Sequence, residues 1–412
     1  MMIEYLKPIL AFISLLLTLY SIYFIFFALF SFKKDPTFPN QPPTTKFAVV
    51  IAARNEERVI ADLVHSLNTQ NYPKELYDVY VIPNNCSDDT AMKAIEAGAL
   101  VLECQYPVSS KGEVLRHTFD QLISSKYQYD AICVFDADNI VDPNFLVEVN
   151  NAFKSGVRVA QGYRQAKNPY DSWVTGSYSV YFMIMNRFVN KAKYNAGLSA
   201  YLSGTGFMVS VDVLKKSNGW RTTTISEDTE FSLICMLNNE RISWMPKAIT
   251  YDEQPLTMKA SLTQRTRWSS GAMQLLSIYF KKITHHLRFN NLFQLIDGLM
   301  SLMAVYIQLL SAIQLILITL ISIIAKDESL LIALIPLLIS YLTLTLIATL
   351  VLILEKKWDK QSLVGVISFW LFELSWSFIN IRCLFIKTTH WAEIKHTRTV
   401  SATKFKASRQ EL

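Results

Sequence analysis

The sequence predicts an α/β domain inserted between α-helical transmembrane segments, and two observations lead to this fold class. Three stretches of 24 to 28 residues carry no charge, whereas about 22% of the remaining residues are charged, as in ordinary soluble domains. Between the first two stretches, short runs rich in Val, Ile, Tyr and Phe alternate with segments of helical length, which is typical of layered strands and helices. With 51% hydrophobic residues overall, the chain is not intrinsically disordered.

The first uncharged stretch, residues 9–32, predicts a membrane anchor helix within residues 1–32. It exceeds the roughly 20 residues that cross a bilayer, and it is longer than the roughly 7–15 apolar residues of a cleaved secretory signal. Lys33 and Lys34 follow it, and basic residues favour the cytoplasmic side. We therefore expect a multi-pass protein of the plasma membrane whose domain at 33–258 lies in the cytoplasm.

Further uncharged stretches at 298–325 and 329–354 predict C-terminal transmembrane helices within residues 298–386. The short loop at 326–328 between them suits the outside of the membrane. Another apolar segment, 362–386, is interrupted by Glu373, Asn380 and Arg382. It either spans the membrane or lies in the interface.

The basic residues around this last segment create a conflict. Lys356, Lys357 and Lys360 precede it, and the basic tail at 387–412 holds +4 of the net charge of +6. Both groups are expected in the cytoplasm, but a spanning segment 362–386 would separate them. Because the excess charge is concentrated in this tail, a nucleic-acid-binding surface on the domain is not expected.

The first part of the domain predicts a mostly parallel sheet with helices on both faces. Predicted strands cover 46–53, 77–83, 100–104 and 129–135, and predicted helices cover 56–70, 89–98 and 111–126. In such sheets ligands bind beyond the carboxyl ends of the strands. Arg54 and Glu56 follow the first strand, Asn84 follows the second, and Asp136 and Asp138 follow the fourth, so these side chains are expected to meet.

Asp136 and Asp138 are candidate ligands of a divalent cation. Two carboxylates separated by one residue project to the same face of an extended strand end, where their repulsion favours binding of Mg²⁺ or Mn²⁺. Substrate phosphate and water would complete the shell. The alternative is that the pair caps the helix predicted to start near Pro143. No glycine-rich phosphate-binding loop is present in the sequence, so any phosphate must be neutralised by other means.

Ser226, Glu227 and Asp228 precede an apolar helical segment. Ser226 suits the N-cap, which places both carboxylates in the first turn, where the positive end of the helix favours them. An ionised Asp228 could act as a general base on a hydroxyl. Ordinary helix capping is the alternative interpretation.

Gln264, Arg267 and Trp268 lie three and four residues apart in a helix predicted over about 259–283, within a segment of interfacial helices at 259–297. Arg267 offers a bidentate fork to phosphate oxygens, and Trp268 offers a flat surface for a sugar ring. A Trp and Arg stripe on a membrane-surface helix is the alternative.

Taken in order, Asp136-x-Asp138, Ser226-Glu227-Asp228 and Gln264-x-x-Arg267-Trp268 resemble the D-x-D, T/S-E-D and Q-x-x-R-W motifs of membrane-integrated family 2 glycosyltransferases, the group of cellulose, hyaluronan, chitin and poly-N-acetylglucosamine synthases. The resemblance covers about residues 46–390. It implies a GT-A (nucleotide-diphospho-sugar transferase) fold, a cytoplasmic active site and inverting transfer from a UDP-sugar.

The resemblance also implies roles for individual residues. Asp228 would be the catalytic base beside Glu227, and Asp136 with Asp138 would hold the metal. The acceptor would contact Trp268 and the 201–205 segment, whose Ser203 stands where the family has cysteine. The nucleotide-sugar would be bound by Ala53, Arg54, Glu56, Asn84, Lys111, Asp136, Gln264 and Arg267, and the acceptor by Trp268, Ser203, Gly204 and Thr205.

One position departs from the family pattern. The second strand of these enzymes usually ends in an Asp that accepts a hydrogen bond from uracil, whereas this chain has Asn84. The amide oxygen of Asn84 can still accept that bond, without the charge.

The leading functional hypothesis is processive synthesis of a β-linked polysaccharide from UDP-glucose or UDP-N-acetylglucosamine, with export through the adjoining helices. Three or four segments are few for a channel, so a second copy of the chain or an accessory subunit would be needed to complete one. The alternative enzyme transfers a single sugar to a membrane lipid. A non-catalytic polysaccharide export component is the remaining alternative.

Overall fold

The structure is a computed structural model that describes residues 2–104, 107–124, 128–287, 291–324, 330–386 and residue 398. The loop at 326–328, and the basic tail except for Arg398, lie outside the described residues. Within them, eight strands form one sheet. The strands are β1 (Phe47–Ala53), β2 (Tyr77–Pro83), β3 (Leu100–Val101), β4 (Ala131–Asp136), β5 (Ile140–Val141), β6 (Val159–Ala166), β7 (Phe207–Ser210) and β8 (Ile242–Asp252).

The sheet is mixed rather than mostly parallel. Its strand order is β3-β2-β1-β4-β7-β6-β8-β5, and the predicted parallel pairing holds for the β3-β2-β1-β4 half. Beyond β4 the prediction fails, because β7 enters between β4 and β6 and runs antiparallel to both. The physical reason is that the long excursion that starts at the end of β6 returns to the sheet at that same end, so β7 must run antiparallel to β6.

Helices cover both faces of the sheet, as predicted. The helices in chain order are α1 (Met2–Ala28), α2 (Ile60–Asn68), α3 (Thr90–Glu96), α4 (Lys111–Ser124), α5 (Phe145–Lys154), α6 (Trp173–Ile184), α7 (Ala192–Asn195), α8 (Val211–Lys216), α9 (Glu227–Leu237), α10 (Met258–His286), α11 (Leu292–Leu302), α12 (Ala304–Ile324), α13 (Leu330–Leu354) and α14 (Ser362–Phe385).

Strand β1 shows why the domain has two cores. All seven of its residues are buried, and alternate residues face opposite sides of a strand. Phe47, Val49 and Ile51 pack with α2, α3 and α5 on one face, whereas Ala48 and Val50 pack with α4, α8 and α9 on the other. A strand buried on both faces therefore reads as a continuous apolar run.

Four helices are long and apolar enough to span a membrane within the described residues, at Tyr5–Phe32, Ala304–Ile321, Leu334–Leu354 and Ser362–Phe385. The predicted segment 298–325 is not one helix, because the chain breaks at Met303 between α11 and α12. Residues 298–302 therefore end the shorter helix α11, and the spanning helix starts at Ala304. The predicted boundary at 297 thus falls inside α11.

The segment after β6 connects the domain to the membrane helices. Helix α6, a π-helical stretch at Met185–Lys191 and α7 follow one another without interruption. Helix α6 packs against α14 through a cluster of buried aromatic and aliphatic residues that also includes α13. At its far end, the Asn195 side chain donates to the backbone oxygens of Phe30 and Lys34, 3.2 Å away in each case, directly after α1.

Candidate active site and acceptor cavity

A cavity of about 530 Å³ lies at the carboxyl ends of the strands and continues to the membrane helices. The three motifs predicted from the sequence meet there. Most of the predicted site residues line it, together with residues of α1, α12 and α14. The predicted residues in its wall are Arg54, Glu56, Lys111, Asp136, Asp138, Ser203, Gly204, Glu227, Asp228, Gln264, Arg267 and Trp268.

Lys111 connects the predicted donor side of the cavity to the predicted acceptor side. Its ammonium group contacts the carboxylate of Asp136, donates to the backbone oxygen of Gly204 at 2.7 Å, and lies 3.8 Å from Oε1 of Glu227. Burial alone would lower the pKa of Lys111, but Asp136 and Glu227 outweigh burial and raise it. The group is therefore a cation at neutral pH.

The two carboxylates of the first motif have different surroundings. Burial opposes ionisation of Asp136, but the Lys111 ammonium outweighs burial and lowers the pKa of Asp136. Asp138 accepts a hydrogen bond from the backbone N–H of Glu253 at 2.9 Å. Both residues line the cavity, so they present hard oxygen donors suited to Mg²⁺ or Mn²⁺. No cluster of three or more His, Cys, Asp or Glu side chains with metal-ligand geometry occurs in the described part of the chain.

Glu227 and Asp228 occupy the first turn of α9, with Ser226 at the predicted N-cap position, although the Ser226 side chain makes no capping hydrogen bond. Burial raises the pKa of Glu227 to about 7, and Lys111 opposes this rise. Burial also raises the pKa of Asp228, against a 2.7 Å hydrogen bond from the backbone N–H of Thr229. A carboxyl group whose pKa is raised by burial is a stronger base than a free carboxylate and suits proton abstraction from a hydroxyl.

Gly204 brings the backbone close to Asp228. Its φ of +81° is in the left-handed region, where glycine is favoured, and a Cβ at this position would lie 3.3 Å from Oδ2 of Asp228. A larger residue would push against the carboxylate of Asp228.

Three of the predicted contact residues do not line the cavity. Ala53 is completely buried beside Ala52, and its backbone oxygen accepts from the N–H of Asn84 at 2.8 Å. Asn84 is 2% exposed, and its side-chain nitrogen has no hydrogen-bond partner in the described structure. Thr205 is also completely buried, contacts Asn139 and accepts from the backbone N–H of Asp136 at 3.1 Å. In this structure Thr205 therefore supports the Asp136 turn rather than the acceptor surface.

The third motif has two faces. Gln264 and Arg267 face the cavity, and Oε1 of Gln264 is buried without a partner among the described residues. Arg265 points the other way and donates to the backbone oxygen of Phe372 and to Ser375, each at 2.8 Å. Arg265 was not predicted as functional, and the sequence alone gives no signal that separates its direction from that of Arg267.

Trp268 is part of an aromatic wall in the cavity. Its ring stacks on Tyr181 with centroids 6.2 Å apart and planes 19° apart, and on Trp376 at 6.2 Å and 26°. These three side chains come from α10, α6 and α14. Flat aromatic faces of this kind are suited to sugar rings and also to apolar chains.

Arg164 and Asp252 are site residues that the sequence predictions missed. Arg164 donates to Asp252 at 2.6 Å and to the backbone oxygen of Ser203 at 3.0 Å, and both residues line the cavity. Burial opposes the charge of Arg164, but Asp252 outweighs burial and raises its pKa. Asp252 is the last residue of β8. Polar residues at strand ends were used to predict the site, and the same criterion applied to β8 would have identified Asp252.

A buried polar cluster lies at the membrane end of the cavity, and Lys193, Tyr201 and Ser301 are part of the cavity wall. Lys193 lies 2.8 Å from Oδ1 of Asp297 and donates to Ser301 at 2.8 Å. Tyr23 of α1 donates to the same Asp297 carboxylate at 2.7 Å, and Tyr201 donates to it at 2.9 Å. The cluster therefore joins the anchor helix, the catalytic domain and α11, and Lys193 and Asp297 neutralise each other.

Comparison with known proteins agrees with this geometry. A family model described as "Glycosyltransferase like family 2" matches residues 42–271, more than half of the chain. The fold resembles that of the mannosyltransferase PcManGT from Pyrobaculum calidifontis, solved in complex with GDP-Man and Mn²⁺. The TM-score is 0.61 at 14% identity, covering 92% of this chain and 99% of that chain.

Curated relatives include enzymes with different acceptors. The chain is 26% identical over 251 residues to the probable glycosyltransferase YdaM of Bacillus subtilis, covering 57% of this chain and 58% of that protein. It is 28% identical over 241 residues to a beta-monoglucosyldiacylglycerol synthase of Trichormus variabilis, covering 55% and 49%. It is 24% identical over 268 residues to a poly-beta-1,6-N-acetyl-D-glucosamine synthase of Staphylococcus aureus, covering 63% of each. In each case the match spans less than two thirds of the relative.

Proposed function

Because the chain belongs to glycosyltransferase-like family 2 and has the GT-A fold, we propose that it transfers a hexose from a UDP-sugar to a hydroxyl acceptor at the membrane. The observation that carries this proposal is the single cavity that contains both Asp136 and Asp228 and continues to α1 and α12. UDP-glucose and UDP-N-acetylglucosamine are the proposed donors. The catalytic domain would lie on the cytoplasmic side of the plasma membrane, where nucleotide sugars are available.

The donor would bind at the ends of β1 and β4. Asp136 and Asp138 would hold Mg²⁺ or Mn²⁺ together with the diphosphate, and the ion would supply positive charge that stabilises the leaving UDP. Arg267 lies on the same cavity wall and lowers the pKa of Asp136 through its charge. It is placed to contact the diphosphate by the bidentate geometry that guanidinium groups allow. Lys111 keeps the Asp136 side chain oriented.

Asp228 would act as the base for one in-line displacement. It takes the proton of the acceptor hydroxyl, the acceptor oxygen bonds to the anomeric carbon, and the bond from that carbon to the UDP oxygen breaks. A single displacement inverts the configuration, so an α-linked donor gives a β-linked product. Glu227, the neighbouring residue, lies 3.8 Å from the Lys111 ammonium group. The single displacement requires no second nucleophile.

The geometry favours a membrane lipid as the acceptor. The wall of the cavity beyond Asp228 is largely apolar and aromatic, and it includes Phe24 of α1 and Val305 of α12. Lys193, Tyr201 and Ser301 of the polar cluster around Asp297 also line the cavity, and no described residue of α13 does. A largely apolar cavity beside α1 and α12 suits a lipid whose hydroxyl reaches Asp228.

Polysaccharide synthesis is the second candidate, and the stacked rings of Trp268, Tyr181 and Trp376 favour it. Such a surface could hold the terminal sugar of a growing chain. A polymer would then require a second copy of the chain or an accessory subunit to complete the passage through the membrane.

Product analysis distinguishes the two acceptors. The purified protein is incubated in vesicles that contain diacylglycerol, with UDP-[¹⁴C]glucose or UDP-[¹⁴C]N-acetylglucosamine and Mg²⁺ or Mn²⁺. We expect label in an organic-soluble product that carries one sugar. Label in a large water-soluble or insoluble polymer would contradict the lipid proposal and support the second candidate.

The metal proposal has a separate test. We expect EDTA to abolish transfer and added Mn²⁺ or Mg²⁺ to restore it in the wild-type protein. Asp136→Ala should remain inactive at every metal concentration, and calorimetry of UDP with Mn²⁺ should show weaker binding to this variant. Full activity of Asp136→Ala in EDTA would refute a role for the metal.

A further inference from the structure

The environment of α14 is unlike that of the other long apolar helices. In its most apolar window 44% of the residues are buried, compared with 6% for α1, 6% for α12 and 17% for α13. With 24 residues it is about 36 Å long, enough to cross a hydrocarbon core of about 30 Å. Length and composition therefore do not decide whether α14 crosses the bilayer. Its contacts with the rest of the protein are the remaining evidence.

Helix α14 lies lengthwise on the catalytic domain. At its start, Gly365 touches Gly176 of α6 so closely that a Cβ on Gly365 would be 2.7 Å from the Gly176 backbone. One turn further, the hydroxyl groups of Ser177 and Ser368 are 3.0 Å apart. Contact with α6 continues where the rings of Tyr178 and Phe372 lie 4.9 Å apart.

The second half of α14 packs along α10, the helix that carries Gln264 and Arg267. Ser269 donates to Asn380 at 2.6 Å, and the Cys383 thiol lies 3.6 Å from the backbone oxygen of Thr266. The last turn of α14 is thus next to the catalytic motif.

The helices beneath α14 run across the ends of the spanning helices that face the catalytic domain. Arg187, in the π-helical stretch after α6, lies 2.8 Å from Glu355, which directly follows α13. Asn195, the last residue of α7, contacts the backbone just beyond α1. The first half of α14 follows α6 and its second half follows α10, so both halves lie against helices of the catalytic domain.

The residues before and after α14 contact consecutive residues of the catalytic domain. Asp359, before α14, accepts a hydrogen bond from Tyr170. Arg398, after α14, forms an ion pair with Asp171, and its backbone N–H donates to Glu253 at 3.2 Å. If α14 crossed the bilayer, residues 387–397 would have to recross it, but this segment contains Lys387, Glu393 and Lys395 and is too short for a second spanning helix.

We propose that α14 lies in the membrane surface on the side of the catalytic domain and does not cross the bilayer. Its exposed face carries Leu363, Ile367, Leu371 and Phe378, which would contact the acyl boundary of that leaflet. The buried face completes the catalytic cavity through Glu373 and Trp376. The spanning helices among the described residues are then α1, α12 and α13.

This arrangement resolves the charge conflict in the sequence. Lys356, Lys357 and Lys360 precede α14, and the basic tail follows it. Lys356, Lys357 and Lys360, and Arg398 of the tail, then lie on the same side as the catalytic domain, as the preference of basic residues for the cytoplasm requires. Helix α14 therefore forms one wall of the active site and one attachment to the bilayer, and this holds for either acceptor.

Site-directed labelling tests the proposal without relying on activity. Lys360→Cys and Lys404→Cys are each treated with a membrane-impermeant maleimide in vesicles of defined orientation, and the modified residue is quantified by peptide mass spectrometry. Lys93→Cys, on the exposed surface of α3, reports the catalytic-domain side, and Asp327→Cys reports the opposite side. We expect positions 360 and 404 to be labelled together with position 93. Labelling of position 404 together with position 327 would show that α14 crosses the membrane.

A cross-link tests the packing itself. Ser177→Cys with Ser368→Cys should form a disulfide rapidly under mild oxidation, because their hydroxyl groups are 3.0 Å apart. Ser177→Cys with Val364→Cys is the matched control, because Val364 is 56% exposed on the outer face of α14. Absence of a cross-link in the first pair, or equal cross-linking in both pairs, would overturn the proposed position of α14.

Discussion

Replacing Lys111 with methionine should move the pH dependence of sugar transfer to higher pH. Lys111 is the cation nearest to Glu227, 3.8 Å from its Oε1, and its charge lowers the pKa of both Glu227 and Asp228. Methionine has similar length and no charge. Without that charge, both carboxyl groups hold their protons to higher pH.

The size of the effect follows from the distance. For Lys111 and Glu227, two unit charges about 3.8 Å apart interact by roughly 4 kcal/mol at an effective dielectric of about 20, which corresponds to about 3 pH units. Asp228, the proposed base, is affected in the same direction, since the Lys111 charge also lowers its pKa. Water that enters the cavity and rearranged side chains would screen part of this interaction. We therefore expect the acidic limb of kcat/KM to move upward by about 1–2 pH units, since the base must be ionised to accept the acceptor proton.

The assay is kcat/KM for the UDP-sugar across about pH 5.5 to 9.5 with saturating metal. Activity of Lys111→Met at pH 7 should be low and should recover as the pH rises through the new apparent pKa. Lys111→Arg keeps the charge and is the control, so its acidic limb should stay where it is in the wild type. A uniform loss of rate with an unchanged acidic limb in Lys111→Met would refute the electrostatic reasoning and leave Lys111 a purely positioning role.

Three further variants test the base, the packing behind it and the membrane attachment. Asp228→Asn should reduce transfer by about 10³-fold or more while UDP binding by calorimetry is retained, and full transfer would show that another group is the base. Gly271→Ala would place a Cβ 1.9 Å from Oγ of Ser226, so kcat should fall by about 10-fold. Adding Ser226→Gly to Gly271→Ala should restore much of the lost kcat. If kcat does not recover, contact with Ser226 is not the cause of the loss. Lys193→Met leaves the buried Asp297 charge unpaired and should destabilise the protein in detergent by about 3–5 kcal/mol. Thermal unfolding should show recovery on adding Asp297→Asn, and an unchanged Tm of Lys193→Met alone would contradict the pairing.

Much of the fold and the site was predictable because it depends on local pattern. Runs of Val, Ile and Phe mark strands that are buried on both faces, as β1 is, and they locate the strand ends where ligands bind. The residue types, spacing and order of Asp136, Asp228 and Arg267 likewise predicted a common site. The family match and the GT-A fold confirm the predicted family and fold class. The individual roles of the residues remain predictions that the variants above test.

Some elements depended on contacts between distant parts of the chain. The antiparallel entry of β7 has no local signal, and neither does the pairing of Lys193 with Asp297, about a hundred residues later. Thr205 was predicted at the acceptor surface, but tertiary packing buries it behind the Asp136 turn. Arg265 and Arg267 are chemically alike and two residues apart, and the packing of α10 in the tertiary structure turns Arg265 towards α14 and Arg267 towards the cavity.

The sequence by itself determined that the chain has an α/β catalytic domain between apolar helices, because hydrophobic periodicity and the absence of charge act over a few residues at a time. Only the tertiary structure decided which apolar helix packs along the catalytic domain. Helix α14 is long enough to cross the bilayer, and its composition permits it. The close contact between Gly365 and Gly176, and the anchoring of both its flanks on the catalytic domain, give it a protein surface to bury against. Burial against protein and burial in lipid remove the same apolar side chains from water, so composition cannot distinguish the two environments. The residues packed against the helix in the tertiary structure do distinguish them.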